Sequence, residues 1–104
     1  MNSHEYMNLM CVFNEYQGEY LLIAWGNKLR IKCLSDIGAF QTSLTEEDED
    51  YVGEYVAIVT EVVVLHPGND NAIIIHNDGI EINLTTIPET ITTEDGTVVW
   101  QRTS

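Results

Sequence analysis

Basic residues are scarce in this chain. It contains four lysines and arginines against 17 aspartates and glutamates, and its formal net charge is −13 at pH 7. A surface with this charge repels nucleic acid and anionic membranes, so we predict that the protein binds neither of them directly. Basic protein surfaces are the partners that such a charge favours.

Long apolar runs and cysteine patterns are also missing. No stretch reaches the roughly 20 apolar residues that span a bilayer, and the first residues lack the basic segment of a signal peptide. We therefore predict a cytoplasmic protein. The two cysteines, Cys11 and Cys33, have no CxxC or zinc-type spacing and are too few for a disulfide framework. We expect both to be buried thiols.

No catalytic or cofactor motif is present either. The sequence has no GxSxG, HExxH or GxGxxG motif and no glycine-rich phosphate loop. The segment that begins at Asp48 resembles the first half of an EF-hand, but Val52 and Val59 occupy positions five and twelve, which need oxygen ligands. The histidines and cysteines are widely spaced. We predict no metal, no cofactor and no enzymatic activity, with a small metal-dependent enzyme as the weaker alternative.

The remaining pattern is typical of a single all-β domain spanning residues 1–104. The chain is long enough for one core, and 44% of its residues are hydrophobic. Apolar runs rich in Val, Ile and Tyr alternate with turn residues, which predicts seven or eight antiparallel strands. Short connections between them predict hairpins that close into a small barrel or pack as a sandwich. These strands are drawn from nine candidate segments, which are 9–13, 19–25, 28–34, 39–43, 54–65, 72–76, 80–84, 90–93 and 97–101.

Three hairpins and one central strand stand out. Gly26-Asn27, residues 77–79 and residues 94–96 are predicted to form the hairpin turns. Residues 54–65 are apolar on both faces, which predicts a central and largely covered strand. By alternation, we expect Ile80, Ile82 and Leu84 to face inward with Glu81 and Asn83 outward, and Val98 and Trp100 to share one face.

Three segments are predicted to lie outside the strands. Residues 45–52 begin with Thr45 and continue with acids, which favours one or two helical turns about as much as a solvated loop. Residues 1–7 and 102–104 are expected to be loose ends, because chain termini are often poorly ordered.

The acidic residues are unevenly distributed. Residues 1–44 hold four acids and three bases, a net charge of −1, whereas residues 45–104 hold thirteen acids and one base, a net charge of −12. Most of the later acids fall in predicted turns or at outward strand positions, so the fold should display them rigidly. The acids expected to contact a partner are Glu46, Glu47, Asp48, Glu49, Asp50, Asp70, Asp78, Glu81, Glu94 and Asp95, with Tyr51 or Tyr55 as aromatic anchors.

Three of the four basic residues form a second feature. Lys28, Arg30 and Lys32 alternate along one predicted strand, so their side chains should point to one face about 7 Å apart. One interpretation is an outward strand face on which charge discourages edge pairing. The other is a docking stripe for the protein's own acidic face, within the molecule or across a subunit boundary.

In size and charge, the chain resembles the small acidic immunity proteins and nucleic-acid mimics that neutralise toxic nucleases or bacterial defence proteins. The resemblance implies a rigid acidic domain that fills a basic cleft, with fast and salt-sensitive association. We therefore predict a non-enzymatic interaction domain, an inhibitor or immunity protein, that binds a basic protein surface. The alternative is a structural subunit whose sheet edges or basic stripe build a homo-oligomer, with acidity that serves only solubility.

Overall fold

The all-β prediction is confirmed by a computed structural model, which describes residues 3–26, 28–41, 47, 49, 55–67, 79–83 and 86–102. These residues form one helix and seven antiparallel strands in a curled half-barrel sheet of order β3-β4-β2-β1-β6-β7, with β5 also paired to β4. The elements are α1 (Ser3–Glu15), β1 (Tyr20–Ala24), β2 (Arg30–Leu34), β3 (Ala39–Gln41), β4 (Tyr55–His66), β5 (Ile80–Ile82), β6 (Thr90–Thr93) and β7 (Val98–Gln101).

Helix α1 replaces the strand predicted at residues 9–13 and residues 3–7 of the loose end predicted at residues 1–7, whose first two residues lie outside the described part of the chain. Tyr6, Leu9, Met10 and Phe13 are buried, and their spacing of i, i+3, i+4 and i+7 places them on one face of a helix. That face packs into a single core with the inward residues of the sheet. The Tyr6 hydroxyl donates a hydrogen bond to the Tyr55 carbonyl oxygen of β4, so the N-terminal segment is fixed to the sheet.

Strands β1 and β2 form the predicted hairpin, but its turn differs from the prediction. Trp25 N–H donates to Leu29 O (2.9 Å) and Lys28 N–H donates to Trp25 O (3.1 Å), so the loop has three residues. Lys28, with φ 75°, takes the left-handed conformation, which glycine adopts more readily than any other residue. Three-residue loops that contain a left-handed residue are common hairpin connections. Lys28 therefore lies in the turn and not on the strand.

Strand β4 is central, as predicted, because it pairs with β2, β3 and β5. Its first half is buried, but Val63, Val64 and Leu65 are exposed, so the prediction of a covered strand is wrong for the second half. Among the described strands, β3 and β5 pair only with the first half, so the second half pairs with β2 alone, and an irregularity at Glu61, which has φ 50°, lies between the halves. Lys32 lies opposite Val63 and Leu34 opposite Thr60, so β4 contains an extra residue there and its alternation is interrupted.

The later hairpin is largely as predicted. β6 and β7 pair around residues 94–96, but the register shifts between Ile91 and Thr92, and Val98 is exposed while Trp100 is buried. One of these two side chains faces solvent and the other faces the core, contrary to the prediction that they share one face. The amide N–H of Arg102 donates to Glu89 O (2.9 Å), so residue 102 is not a loose end.

Strand β5 follows the prediction except at its end. Ile80 and Ile82 are buried and Glu81 is exposed, as expected. Asn83 is buried, contrary to the prediction, because its N–H donates to Thr86 Oγ1 (2.9 Å) and its Nδ2 donates to Glu81 Oε2 (2.6 Å) within a tight turn. Leu84, the segment 72–76, the turn residues 77–78 and most of the segment 45–52 lie outside the described residues.

Candidate partner-binding surface

The outer face of the sheet carries two rows of side chains across four strands. Residues directly opposite each other in antiparallel strands share a face. The first row runs from Val63 through Lys32 and Leu22 to Thr92, and the second runs from His66 through Arg30 and Ala24 to Thr90. The intervening residues, such as Ile23 and Ile31, are buried on the inner face under α1. The outer face is therefore the uncovered side of the described sheet.

Four polar side chains meet at one end of this face, and we call them the Tyr20 cluster: Tyr20, Lys32, Glu61 and Glu94. Lys32 Nζ lies 3.0 Å from Glu94 Oε2 and 5.2 Å from the centroid of the Tyr20 ring. The Tyr20 hydroxyl donates to Glu61 Oε2 (3.2 Å). This hydrogen bond, followed by the charge of Glu61, raises the pKa of Tyr20. The cluster links strands and turns that are far apart in sequence.

Shallow depressions flank Tyr20 on both sides. One of about 430 Å³ is lined by Gly18, Glu19, Tyr20, Thr93, Glu94 and Asp95, and one of about 470 Å³ is lined by Tyr20, Lys32, Glu61, Val62 and Val63. The four acids of this end, Glu19, Glu61, Glu94 and Asp95, outnumber its single base, Lys32. An exposed tyrosine is thus surrounded by excess negative charge and neighbours the exposed apolar side chain of Val63.

Asp95 is held in the turn between β6 and β7. Its Oδ1 accepts hydrogen bonds from the Thr93 hydroxyl and from the Thr97 backbone N–H (3.0 Å). The Thr93 hydrogen bond is the main reason that the pKa of Asp95 is lowered from 3.8, because it stabilises the charged form. The carboxylate therefore stays ionised and fixed in direction at neutral pH.

A larger cleft lies at the opposite end of the same face, and we call it the basic cleft. It has a volume of about 740 Å³ and is lined by Ala24, Trp25, Lys28, Arg30, Leu65, His66, Glu89 and Thr90. A smaller hollow of about 260 Å³ shares Ala24, Arg30, Leu65 and Thr90 with it. His66 Nδ1 lies 3.1 Å from the Lys28 carbonyl oxygen, which ties the end of β4 to the β1–β2 turn.

The structure brings only some of the predicted acids together. Glu94 and Asp95 share one turn beside Tyr20, whereas Glu81 lies on β5 and bonds to Asn83 of its own segment. Glu47 and Glu49 are exposed turn residues. The remaining predicted acids, Glu46, Asp48, Asp50, Asp70 and Asp78, lie outside the described residues, and so does Tyr51. Tyr55 is half-buried against the core and is not an exposed anchor.

The basic stripe is divided between the two ends of the face. Lys32 belongs to the Tyr20 cluster, whereas Arg30 and Lys28 line the basic cleft. Sequence reasoning missed Tyr20 and Glu61. Alternation with the buried Leu21 already places Tyr20 on the outer face, and a lone acid within an apolar strand was the signal available for Glu61.

The two cysteines differ in exposure, so the prediction that both are buried is wrong for Cys11. Cys11 lies on the solvent side of α1. Cys33 points into the core, where its thiol donates weakly to Leu21 O (3.7 Å) and burial raises its pKa to about 12. Within the ranges that the structure describes, no three His, Cys, Asp or Glu side chains are close enough together to hold a metal ion.

We expect a disulfide reagent such as DTNB to react with one thiol per native chain and with two in denaturant. The thiolate is the reactive form, and at pH 8 the buried Cys33 is almost entirely protonated, whereas Cys11 is accessible. The Cys11→Ser variant should show no fast-reacting thiol in its native state. Equal reaction rates of both thiols in the folded parent protein would contradict this assignment.

Comparison with known proteins places the whole chain in one family. Neither a curated protein nor a solved structure matches it. Within the described residues, no helix is long and apolar enough to cross a membrane. A family model described as "Cognate immunity protein YxxD" matches residues 4–104, which include all seven strands and all but the first residue of α1. The chain therefore belongs to the YxxD family of cognate immunity proteins.

Proposed function

We propose that this protein binds the toxin of its own toxin–immunity pair and neutralises it, and that the contact joins the acidic end of the outer face to a basic surface of the toxin. Membership of the immunity family supports the existence of a cognate toxin partner. Neutralisation of this kind requires only tight binding, so no residue is given a catalytic role.

The Tyr20 cluster is the observation on which the location of this contact rests. Four acids surround an exposed tyrosine there, and hydrogen bonds hold Tyr20 and Asp95 in defined directions. Tyrosine is one of the residues that most often dominate binding energy at protein interfaces, because it combines a large apolar ring with a polar tip. The exposed side chain of Val63 extends the apolar area beside it.

Charge complementarity gives the expected chemistry of the partner. The chain has a net charge of −13, so a basic toxin surface is attracted over a distance of about one Debye length, roughly 8 Å at physiological salt. Long-range attraction of this kind mainly accelerates association and makes it sensitive to salt. Rapid capture is what an immunity protein needs if the toxin is harmful while it is free.

Self-association is the second candidate, because Val63, Val64 and Leu65 form an exposed apolar run on β4. Two copies of a chain with a net charge of −13 repel each other, which opposes this interpretation. Light scattering separates the two: a mass near 11.8 kDa at micromolar concentration in the absence of toxin would exclude the homo-oligomer.

The test measures binding to an inactivated form of the cognate toxin, at low and high salt. We expect the Glu61→Gln/Glu94→Gln variant to bind about 10-fold more weakly, mainly through a slower association rate, and to lose part of the salt dependence. Glutamine at position 61 can still accept the Tyr20 hydrogen bond, so the substitution mainly removes charge.

The matched control is Glu15→Gln/Asp36→Asn, which also removes two negative charges but at exposed positions that line neither the depressions beside Tyr20 nor the basic cleft. It should change the affinity less than about 3-fold, since charges outside the contact act only through the general field. If both double variants bind equally well, the acidic end is not the contact site. If the parent protein fails to bind or to protect cells that express the toxin, the proposed function itself is wrong.

A further inference from the structure

The basic cleft is an exception in an acidic protein. Of the chain's four basic residues, Lys32 is paired with Glu94, whereas Lys28 and Arg30 form no ion pair with any carboxylate among the residues that the structure describes. Both are exposed and line the cleft together with His66. Glu89 is the one acid in its lining, so the cleft keeps a net charge of +1 with His66 neutral.

The side chains that line the cleft suit a carboxylate. Arginine can bind the two oxygens of a carboxylate with two parallel hydrogen bonds, and lysine adds a point charge. Trp25 and Leu65 supply apolar walls, which lower the local dielectric constant and strengthen such a pair. The Trp25 indole N–H already donates to Thr86 O (2.8 Å), so this wall is fixed in position.

The position of Lys28 is fixed by the backbone. The hydrogen bond from its N–H to Trp25 O holds it at φ 75°, and its carbonyl oxygen contacts the His66 ring. A residue other than glycine is uncommon in this conformation, and such positions often have a functional reason. Here the turn directs a lysine, in place of the glycine that the backbone prefers, to the rim of the cleft.

We propose that the basic cleft receives an aspartate or glutamate side chain of the cognate toxin, and this inference rests on the proposed function. The toxin would then present an acidic residue beside its basic patch. Arg30 and Lys32 are two residues apart on β2, about 7 Å along one face, so the basic cleft adjoins the Tyr20 cluster and the two offer the toxin a pair of contacts of opposite sign. Such a pair fixes the orientation of the toxin and rejects toxins that lack the matching acid.

Charge also decides between possible occupants. A polyanion such as nucleic acid would be repelled by the remaining acidic surface, whereas a single carboxylate within a basic toxin surface would not. A second copy of this chain could also supply a carboxylate, but its own net charge of −13 would repel the first copy. The toxin is therefore the favoured source of the carboxylate.

The test compares three variants that each lower the net charge by one unit: Arg30→Gln, Lys28→Gly and, as the control, Asn8→Asp on the exposed side of α1. We expect Arg30→Gln and Lys28→Gly to bind the inactivated toxin about 10-fold more weakly than the parent, and Asn8→Asp to stay within about 3-fold. Lys28→Gly also removes the left-handed strain, so its lower affinity cannot be ascribed to misfolding. Further support would be a toxin Asp→Lys or Glu→Lys variant that restores binding to Arg30→Glu.

The outcomes separate this inference from the proposed function. If Arg30→Gln and Lys28→Gly bind as well as Asn8→Asp, the cleft does not hold a toxin carboxylate. If the parent is a dimer that Arg30→Gln dissociates while the toxin affinity is unchanged, the occupant is a second copy and the inference is wrong. If Arg30→Gln binds weakly but Glu61→Gln/Glu94→Gln binds normally, the cleft contact stands and the acidic contact fails. If the parent does not bind the toxin, both fail.

Discussion

Replacing Phe13 with alanine should lower the free energy of unfolding by about 3–5 kcal/mol. Phe13 is fully buried in the core that α1 shares with the sheet, so truncation leaves a cavity that the surrounding structure fills only partly. Its carbonyl oxygen also accepts a hydrogen bond from Ser35 Oγ (2.8 Å). This bond fixes the helix end against the sheet and limits how far the surrounding structure can move into the cavity. A loss of this size is a large fraction of the stability of a typical domain.

The matched control is Met7→Ala, which shortens a side chain on the same helix at an exposed position. It should cost less than about 1 kcal/mol. Urea unfolding can be followed through the fluorescence of Trp25 and Trp100, because both are buried in the native state. If Phe13→Ala is already unfolded in water while Met7→Ala is folded, the prediction holds. Similar midpoints for the two variants would mean that α1 is not part of the core.

Helix α1 also shows where the sequence-based prediction of the fold failed. The five consecutive residues 9–13 are all apolar, and a short apolar run fits a buried strand as well as a helix. The wider window is more informative, since Tyr6, Leu9, Met10 and Phe13 follow the spacing of a helix. Tyr6 lies within residues 1–7, which the sequence predicts to be a loose end, and the run 9–13 alone does not show the helical period.

The hairpins could be predicted because their signals are local. A turn residue between two apolar runs is enough to indicate β1–β2 and β6–β7, and both are present. The details of each turn depended on tertiary contacts. The left-handed residue of the first hairpin is Lys28 and not the glycine, because the loop has three residues and closes with the Trp25–Leu29 pair.

The site was harder to predict because its members come from distant segments. Tyr20 and Glu61 are 41 residues apart, and they meet only because β4 pairs with β2 and contains an extra residue at that point. Glu94 reaches Lys32 from the opposite side through the β6–β7 turn. The sequence showed that acids and bases were segregated along the chain, but strand order decides which of them become neighbours.

The ion pair between Lys32 and Glu94 adds little to the stability of the fold, and its main effect is on which basic side chains remain available for binding. Its side chains are 39% and 57% exposed, and pairs with such exposure are worth about 0–1 kcal/mol. Its consequence for binding is that Lys32 is neutralised while Arg30, two residues earlier on the same strand face, is not. The three-residue basic stripe is thereby divided into one base inside the acidic end and two that remain available in the basic cleft.

Replacing Gly38 with alanine should lower the free energy of unfolding by about 2–3 kcal/mol, of which the left-handed backbone costs about 1–2 and a lost hydrogen bond about 1. Gly38 has φ +70°, and a Cβ atom there would lie 2.5 Å from Asn14 Oδ1 and 3.4 Å from Phe13 O. Asn14 Oδ1 accepts the hydrogen bond from Ala39 N–H (2.9 Å) that joins the end of α1 to the start of β3. The added methyl group must displace this acceptor.

Gly96→Ala is the matched control, because Gly96 has φ +91° but open space where its Cβ would lie. Gly96→Ala should lower the free energy of unfolding only by the cost of the left-handed backbone, about 1–2 kcal/mol. The difference in free energy of unfolding between the two variants, measured in urea, therefore gives the cost of the contact between position 38 and α1. In the Asn14→Ala background the hydrogen bond is already lost, and Gly38→Ala should then cost about 1 kcal/mol less than in the parent. Equal costs for Gly38→Ala and Gly96→Ala would mean that the Asn14 side chain moves aside freely and that this contact does not hold α1 against the sheet.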